Sequence, residues 1–339
     1  MVNTCENVPY DFELERVISE LKKLKAKRVL IQLPNGLKKY ARVICSKLAS
    51  LGLDVYLSAS HTYGGCDVAE NEAKLVKADV VIHFGHTKYY EPKINTIFIP
   101  SYSKVKLNSN TLSKLTSYLK KHNFEVVSLS AVIQHIPLLR SVKEHLENNG
   151  IKCIITPIGG YCRIPGQILG CSYEGAIKIN KEVNAHIVIA GGLFHGLGLG
   201  LATGKTTIIL DPYEQTFKDI TEYIQKTLKM RYWKIFEAKN RQNYVLIIGS
   251  KPGQYRPSLV NLLADRLLKR GKNVYRIIAN ELSVDILRNI DCKEYDVYVI
   301  TSCPRLPIDD LYSFEKPVLT PGEALMIADD AYDKYIFPW

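Results

Sequence analysis

The stretch RVLIQLPNGLKKYARVICSKLASLGLDVYLSAS (residues 28–60) reads as strand, helix, strand. RVLIQLP and DVYLSAS are short and rich in β-branched and apolar residues, as strands require. Between them, GLKKYARVICSKLASLG spaces its apolar residues at a 3.6-type period. It carries lysine near its end and then glycine, a usual helix stop. Apolar strands that alternate with helices form parallel sheets covered on both faces.

The same order recurs along the chain. The first set continues with ADVVIHFG (78–85) and NTIFIP (95–100). A second set is FEVVSLSAV (124–132), IKCIITPI (151–158), AHIVIAGG (185–192) and TTIIL (206–210). A third is YVLIIGS (244–250), KNVYRIIA (272–279), YDVYVITS (295–302) and KPVLT (316–320). QHIPLLRSVKEHLENNG and RPSLVNLLADRLLKRG stand where the first set has its helix. The expectation is an α/β protein of three similar small domains, 1–105, 106–235 and 236–339. Each is a parallel sheet flanked by helices, and the three surround a central site. A helix in DFELERVISELKKL should begin at an acidic cap near Asp11. The tail YDKYIFPW should pack on a domain or a second subunit rather than do chemistry.

A chain of 339 residues, 46% hydrophobic, buries its cores without staples. No apolar run approaches the roughly 20 residues of a membrane span. The start, MVNTCENVPYDFELERV, lacks the basic head and apolar stretch of a secretory signal. A soluble cytoplasmic protein with no membrane contact is expected. The net charge is +11, but the lysines are scattered, and no arginine-rich arm or aromatic-basic interleaving appears. That reads as a solvated surface, with no direct nucleic-acid binding.

Cysteines stand at 5, 45, 66, 153, 162, 171, 292 and 303, and none forms a C-x-x-C pair. Zinc-ribbon and thioredoxin signatures are therefore absent. Three cysteines follow strands at their carboxyl ends, where ligands of open parallel sheets collect. Cys66 lies in SASHTYGGCDVAENEA, Cys171 in GQILGCSYEGA, and Cys303 in SCPRLPIDD. The first two sit in Gly-Cys pairs that open expected helices, whose N-termini would favour the thiolate. More than a hundred residues separate one from the next, too many for a local metal finger. Two readings stay open: one ligand per domain converging on iron–sulfur or zinc, or three unrelated core and loop cysteines. A 4Fe–4S cluster held by three cysteines would keep one iron free for a substrate or cofactor. Cys45 falls on a helix face, Cys153 in a strand, Cys5 near the terminus and Cys292 in a polar connection. Cys162, in GGYCRIPGQ, is the nearest rival to Cys171.

YGGCD, PGQILGC and SCPRLPIDD, in this order, resemble the cysteine motifs of the archaeal 2-(3-amino-3-carboxypropyl)histidine synthase family of diphthamide biosynthesis. IQLPNGL (31–37), GGLFH (191–195), LDPY (210–213) and GSKPGQYRP (249–257) extend the resemblance over all three sets. Asn35 departs from the glutamate expected there. The resemblance implies a 4Fe–4S cluster on Cys66, Cys171 and Cys303, with S-adenosylmethionine as the second cofactor. It implies transfer of the 3-amino-3-carboxypropyl group to imidazole C2 of a histidine in translation elongation factor 2. It also implies a homodimer and an electron donor. The nucleophilic atoms of imidazole are its nitrogens, so bonding at carbon points to a radical. The usual C-x3-C-x2-C run of radical enzymes is absent.

GGLFHGLGLGLATGKTT (191–207) is not a P-loop, because Leu199 stands where its first glycine belongs and a strand follows. Its glycines would instead let backbone approach the cofactor. His195 is a candidate to orient cofactor or substrate, or a core histidine. Asp211 and Gln254 are candidate contacts for the cofactor's amino-acid part. Arg305 and Asp309 should pair with each other to fix the Cys303 loop, and His61 should cap its own. The rival readings are a quinolinate-synthase-like cluster enzyme, a non-catalytic electron-delivery or scaffold subunit, and a structural zinc site.

Overall fold

The structure, a computed structural model, describes residues 8–339. Three separate sheets carry the fold, each drawn from one contiguous part of the chain. In the first, Asp54–Leu57, Arg28–Gln32, Val80–Phe84 and Thr96–Ile99 lie side by side, all parallel. The second orders Lys152–Ile155, Val126–Ala131, Ala185–Ile189 and Thr207–Asp211 in the same way. The third repeats it with Asn273–Ala279, Asn243–Gly249, Val297–Ile300 and Val318–Leu319. In every sheet the first strand in sequence lies between the second and the third. The strand order therefore reverses between first and third, which is where such sheets bind ligands.

Burial on both faces explains the apolar runs that mark these strands. In Asn243–Gly249, Tyr244, Leu246 and Ile248 pack on one side with Val260, Leu263 and Leu267 of the helix Pro257–Lys269. Val245 and Ile247 pack on the other with Leu287, Leu311 and Phe314. The first sheet uses Val29, Ile31, Ile82 and Phe84 against Val17, Leu21, Ile44 and Leu48.

Four details differ from the sequence expectation. Thr216–Asp219 adds an antiparallel edge to the second sheet. Its alternating exposure gives TFKD no apolar run to reveal it. The first helix is Leu14–Lys23 and has no side-chain cap; Asp11 Oδ1 instead accepts from Glu13 N–H at 2.9 Å. The helix Thr221–Lys239 sets Ile224 in the second unit's core and Ile235 in the third's, so the boundary drawn at 235/236 falls inside it. Of the glycines of 191–204, Gly191 lines the cavity that also holds the three cysteines, but Gly196, Gly198 and Gly200 press against protein rather than a cofactor. Phe194–Thr203 is a helix, and a methyl on Gly198 would overlap the Tyr173 hydroxyl and come within 2.8 Å of Arg305 Nη1. Glycine is there for helix packing.

The tail packs as expected. Tyr335 and Ile336 join the third unit's core and Phe337 the second's. No helix among the described residues is long and apolar enough to cross a membrane.

Candidate metal centre

Cys66, Cys171 and Cys303 line one cavity of about 470 Å³, where the carboxyl ends of the three sheets meet. His86, His135, His195, Gln254 and Arg305 share its wall. Each thiol arrives on a loop after a strand, as expected. Among the described residues, no three His, Cys, Asp or Glu side chains converge closely enough to chelate a single ion. The thiols share a chamber rather than a point.

Each loop is held by a neighbouring unit. Cys66 lies in a turn closed by Asp67 N–H to Gly64 C=O at 3.0 Å. Gly253 of the third unit presses on it so closely that a methyl there would stand 2.6 Å from Cys66 Cα. Beside it, Gln254 Nε2 donates toward Cys66 Sγ at 3.6 Å. Lys251 Nζ reaches Asp67 at 2.9 Å and Glu281 at 2.8 Å, tying the first unit to the third. Cys171, from the second unit, has Tyr89 Oη of the first at 3.6 Å from its sulfur. Its carbonyl accepts from Trp339 Nε1 at 3.2 Å. Cys303 is followed by a tight turn in which Leu306 N–H donates to the Cys303 C=O at 3.3 Å, and Arg305 of that turn lies 4.2 Å over the Phe194 ring of the second unit.

Arg256 organises the electrostatics. Nη2 donates to Tyr89 Oη at 2.6 Å and Nη1 to Tyr161 Oη at 2.7 Å. Tyr89 and Tyr161 stack at 4.1 Å. The guanidinium lies 4.2 Å from the Trp339 ring, and its charge favours the thiolate at all three cysteines. Burial outweighs it. Burial pushes the Cys66 thiol up to about 11, and lifts Cys171 and Cys303 as well, with neighbouring thiols adding to the rise at Cys66 and Cys171. The thiolate-favouring helix ends read from the sequence are not there. The helices begin only at Glu70 and Glu174, beyond the cysteines.

These residues fit an anionic, thiolate-ligated cluster. Around the thiols stand donors: the Gln254 amide, the Tyr89 hydroxyl and the guanidinium groups of Arg256 and Arg305. Arg256 Nε, Arg305 Nε and Arg305 Nη1 are buried without a protein partner, a state buried donors rarely keep unless something else accepts from them.

The other expected residues divide. His195 is on the cavity wall, and burial, with Arg305 nearby, pulls its pKa down to about 3, so it is neutral. Gln254 is in the cavity, but its amide addresses the Cys66 sulfur. Asp211 is committed to backbone: Oδ1 accepts from Tyr213 N–H at 2.8 Å and Glu214 N–H at 3.1 Å. It shapes the loop that presents Tyr213. Arg305 and Asp309 pair at 2.8 Å, as expected. His61 Nδ1 lies 2.7 Å from Asn35 Nδ2. Cys162 is buried against Ser172, away from the cavity; Cys5 lies outside the described residues. Sequence reasoning passed over Tyr89, Arg256, Trp339, His86 and His135. Arg256 fell in the motif GSKPGQYRP, Trp339 in the tail YDKYIFPW and His135 in QHIPLLRSVKEHLENNG, but none of these stretches marked them as part of a site.

The family described as "Putative diphthamide synthesis protein" matches residues 33–336. The 2-(3-amino-3-carboxypropyl)histidine synthase of Pyrococcus horikoshii is 33% identical over 93% of this chain and 89% of its own length. That of Methanocaldococcus jannaschii is 28% identical over 97% and 92%. The crystal structure of Dph2 from Pyrococcus horikoshii with a 4Fe-4S cluster superposes with a TM-score of 0.86 at 32% identity, over 97% of this chain and 94% of that one. Fold, cavity and relatives define the class: an α/β enzyme, a transferase. More particularly, the chain belongs to the diphthamide synthesis protein family.

Proposed function

We propose that this protein transfers the 3-amino-3-carboxypropyl group of S-adenosylmethionine to imidazole C2 of a histidine in translation elongation factor 2. Cys66, Cys171 and Cys303 hold a 4Fe–4S cluster for this purpose. The observation that carries the reading is that one half-buried thiol from each unit opens into a single cavity, with Gln254 and the Arg305 guanidinium as donors on its wall. When bound, such a cluster supplies a low-potential electron for opening the sulfonium.

The protein's own residues confine the chemistry. The cavity wall flanks the reacting carbon, and its fixed donors hold negative charge in place. Gln254, Tyr89 and the turn after Cys303 restrain the thiolates. His195 is a neutral wall residue that can orient cofactor or substrate. The exposed rings of Tyr63, Phe194 and Tyr213 rim the cavity, where a loop of the protein substrate would enter. Free thiols and a reducible cluster suit a reducing cytoplasm and require an electron donor. A homodimer is consistent with the exposed Tyr223, Met230 and Trp233 on one side of Thr221–Lys239.

The test is anaerobic reconstitution with iron and sulfide, then reductant, S-adenosylmethionine labelled in the aminocarboxypropyl group, and elongation factor 2. Label should move to the factor. Cys66→Ala, Cys171→Ala and Cys303→Ala should each lose cluster absorbance and transfer, whereas Cys162→Ala should keep both. A reconstituted protein that yields only 5′-deoxyadenosine and unlabelled factor would end this reading.

A further inference from the structure

We propose that His86 is the group that takes the proton from imidazole C2 during transfer; this rests on the function proposed above. The net step forms one bond, from the propyl carbon to C2, and breaks two, from that carbon to the sulfonium sulfur and from C2 to its hydrogen. It leaves 5′-methylthioadenosine. The electron used to open the sulfonium is recovered when the ring regains its aromaticity, so no net oxidant or reductant is consumed. What remains is one proton from C2, which needs an acceptor within hydrogen-bond reach.

The cavity offers few. No aspartate or glutamate is among its lining residues. The thiols are committed to the cluster, Arg305 is a cation, and neutral phenols are weak bases. Three imidazoles remain: His86, His135 and His195.

Hydrogen bonds fix the tautomer of only one of them. Gln32 Nε2 donates to Asp67 C=O at 2.6 Å, and Ala69 N–H donates to Gln32 Oε1 at 3.0 Å, which sets the amide's orientation. His83 Nδ1, 2.8 Å from that same Oε1, must carry its proton. Burial, with His86 adjacent, keeps His83 neutral, so its Nε2 is a bare acceptor. His86 Nδ1 stands 2.9 Å from it and must be the donor. That leaves His86 Nε2 as an unprotonated lone pair with no protein partner among the described residues. By contrast, His135 Nδ1 is buried without a partner, and nothing sets its tautomer. His195 faces the charge of Arg305, which opposes a second positive charge.

The placement is apt. His86 follows the strand Val80–Phe84 at its carboxyl end. Its loop packs on the turn before Cys66, with Tyr89 Cβ 3.3 Å from where a Gly65 side chain would begin. Once protonated, His86 keeps its Nδ1–H bond to His83 and passes part of the charge along a chain ending at Gln32.

His86→Ala holoprotein tests this. Three quantities are followed: iron per chain, 5′-methylthioadenosine released and label transferred to the factor. The expected result is full iron, retained cofactor cleavage and transfer slowed about 10²–10⁴-fold, with dose-dependent rescue by 2-methylimidazole, whose own C2 is blocked. His86→Asn, which keeps a donor toward His83, serves if the alanine variant loses iron. Transfer at the wild-type rate overturns the proposal. So does slowed transfer with intact cleavage and no rescue, which makes His86 structural. Failure of the wild-type holoprotein to label the factor counts against the proposed function instead.

Discussion

The guanidinium carbon of Arg256 lies over the indole of Trp339, 4.2 Å from the ring centroid, while that indole's N–H holds the Cys171 carbonyl. A residue of the third unit and a residue of the tail thereby brace a loop of the second. Through Tyr89 Oη the same guanidinium reaches toward the Cys171 sulfur. Removing its charge should make an added electron on the bound cluster less favourable. At an effective dielectric of about 20, one charge at this range is worth a few kcal/mol. Arg256→Gln should move the midpoint potential to more negative values in an EPR-monitored redox titration. Trp339→Leu should move it less, because the guanidinium keeps its tyrosines. An unchanged potential in Arg256→Gln would show that the cation only packs.

Metal loading should release protons. Burial holds the Cys66 thiol at about 11 in the metal-free cavity, and Cys171 and Cys303 shift in the same direction. At pH 8 Cys66 therefore carries its proton, and binding as thiolate must expel it. Each proton expelled tightens apparent affinity about tenfold per pH unit. Cluster uptake should improve as pH rises through the neutral range toward 9, and weakly buffered apoprotein should acidify during anaerobic reconstitution. Uptake independent of pH would mean that the thiols are already ionised.

The division between what sequence revealed and what it hid follows the range of the contacts. The twelve parallel strands were legible because burial on both faces leaves continuous apolar runs. Cys66, Cys171 and Cys303 were legible because their loops follow strand ends. Thr216–Asp219 was not, since its edge position gives an alternating polar pattern. The Tyr89–Arg256–Trp339 brace joins residues up to 250 positions apart, and no local spacing encodes it. Gly198 was visible as glycine, but whether a cofactor or Tyr173 required the space depended on the fold.

The loop after Cys303 rests on a buried ion pair. Arg231 Nε donates to Glu323 Oε1 at 2.7 Å, and Nη1 to the Pro307 carbonyl at 2.9 Å. The Arg231 side chain is 5% exposed and that of Glu323 0%, so stranding either charge is costly. Arg231→Met should lower unfolding free energy by about 3–5 kcal/mol. Arg231→Met with Glu323→Met should recover much of that in denaturant melts. Because Pro307 loses its donor in both variants, iron retention should fall in both. A double variant as unstable as the single would show that the other partners of Glu323, Thr320 N–H and Tyr335 Oη, outweigh the relieved desolvation.

Gly198 offers the sharpest steric test. The helix Phe194–Thr203 passes so close to Tyr173 that a methyl at 198 would overlap the phenol oxygen. That hydroxyl is buried and has no hydrogen-bond partner. It fills space and satisfies nothing, so removing it costs little. Gly198→Ala alone should destabilise the protein by about 1–3 kcal/mol through overpacking. It should also displace the Arg305 guanidinium, whose Nη1 would stand 2.8 Å from the methyl, and so disturb the loop after Cys303 and reduce cluster content. Tyr173→Phe removes the oxygen that the methyl would overlap but leaves the ring's Cζ 2.6 Å away, so it relieves only the worst of the clash. The double variant should return part of the lost stability and cluster, measured by denaturant unfolding and iron per chain. If Tyr173→Phe does not relieve Gly198→Ala, the helix must need glycine for some contact other than the phenol.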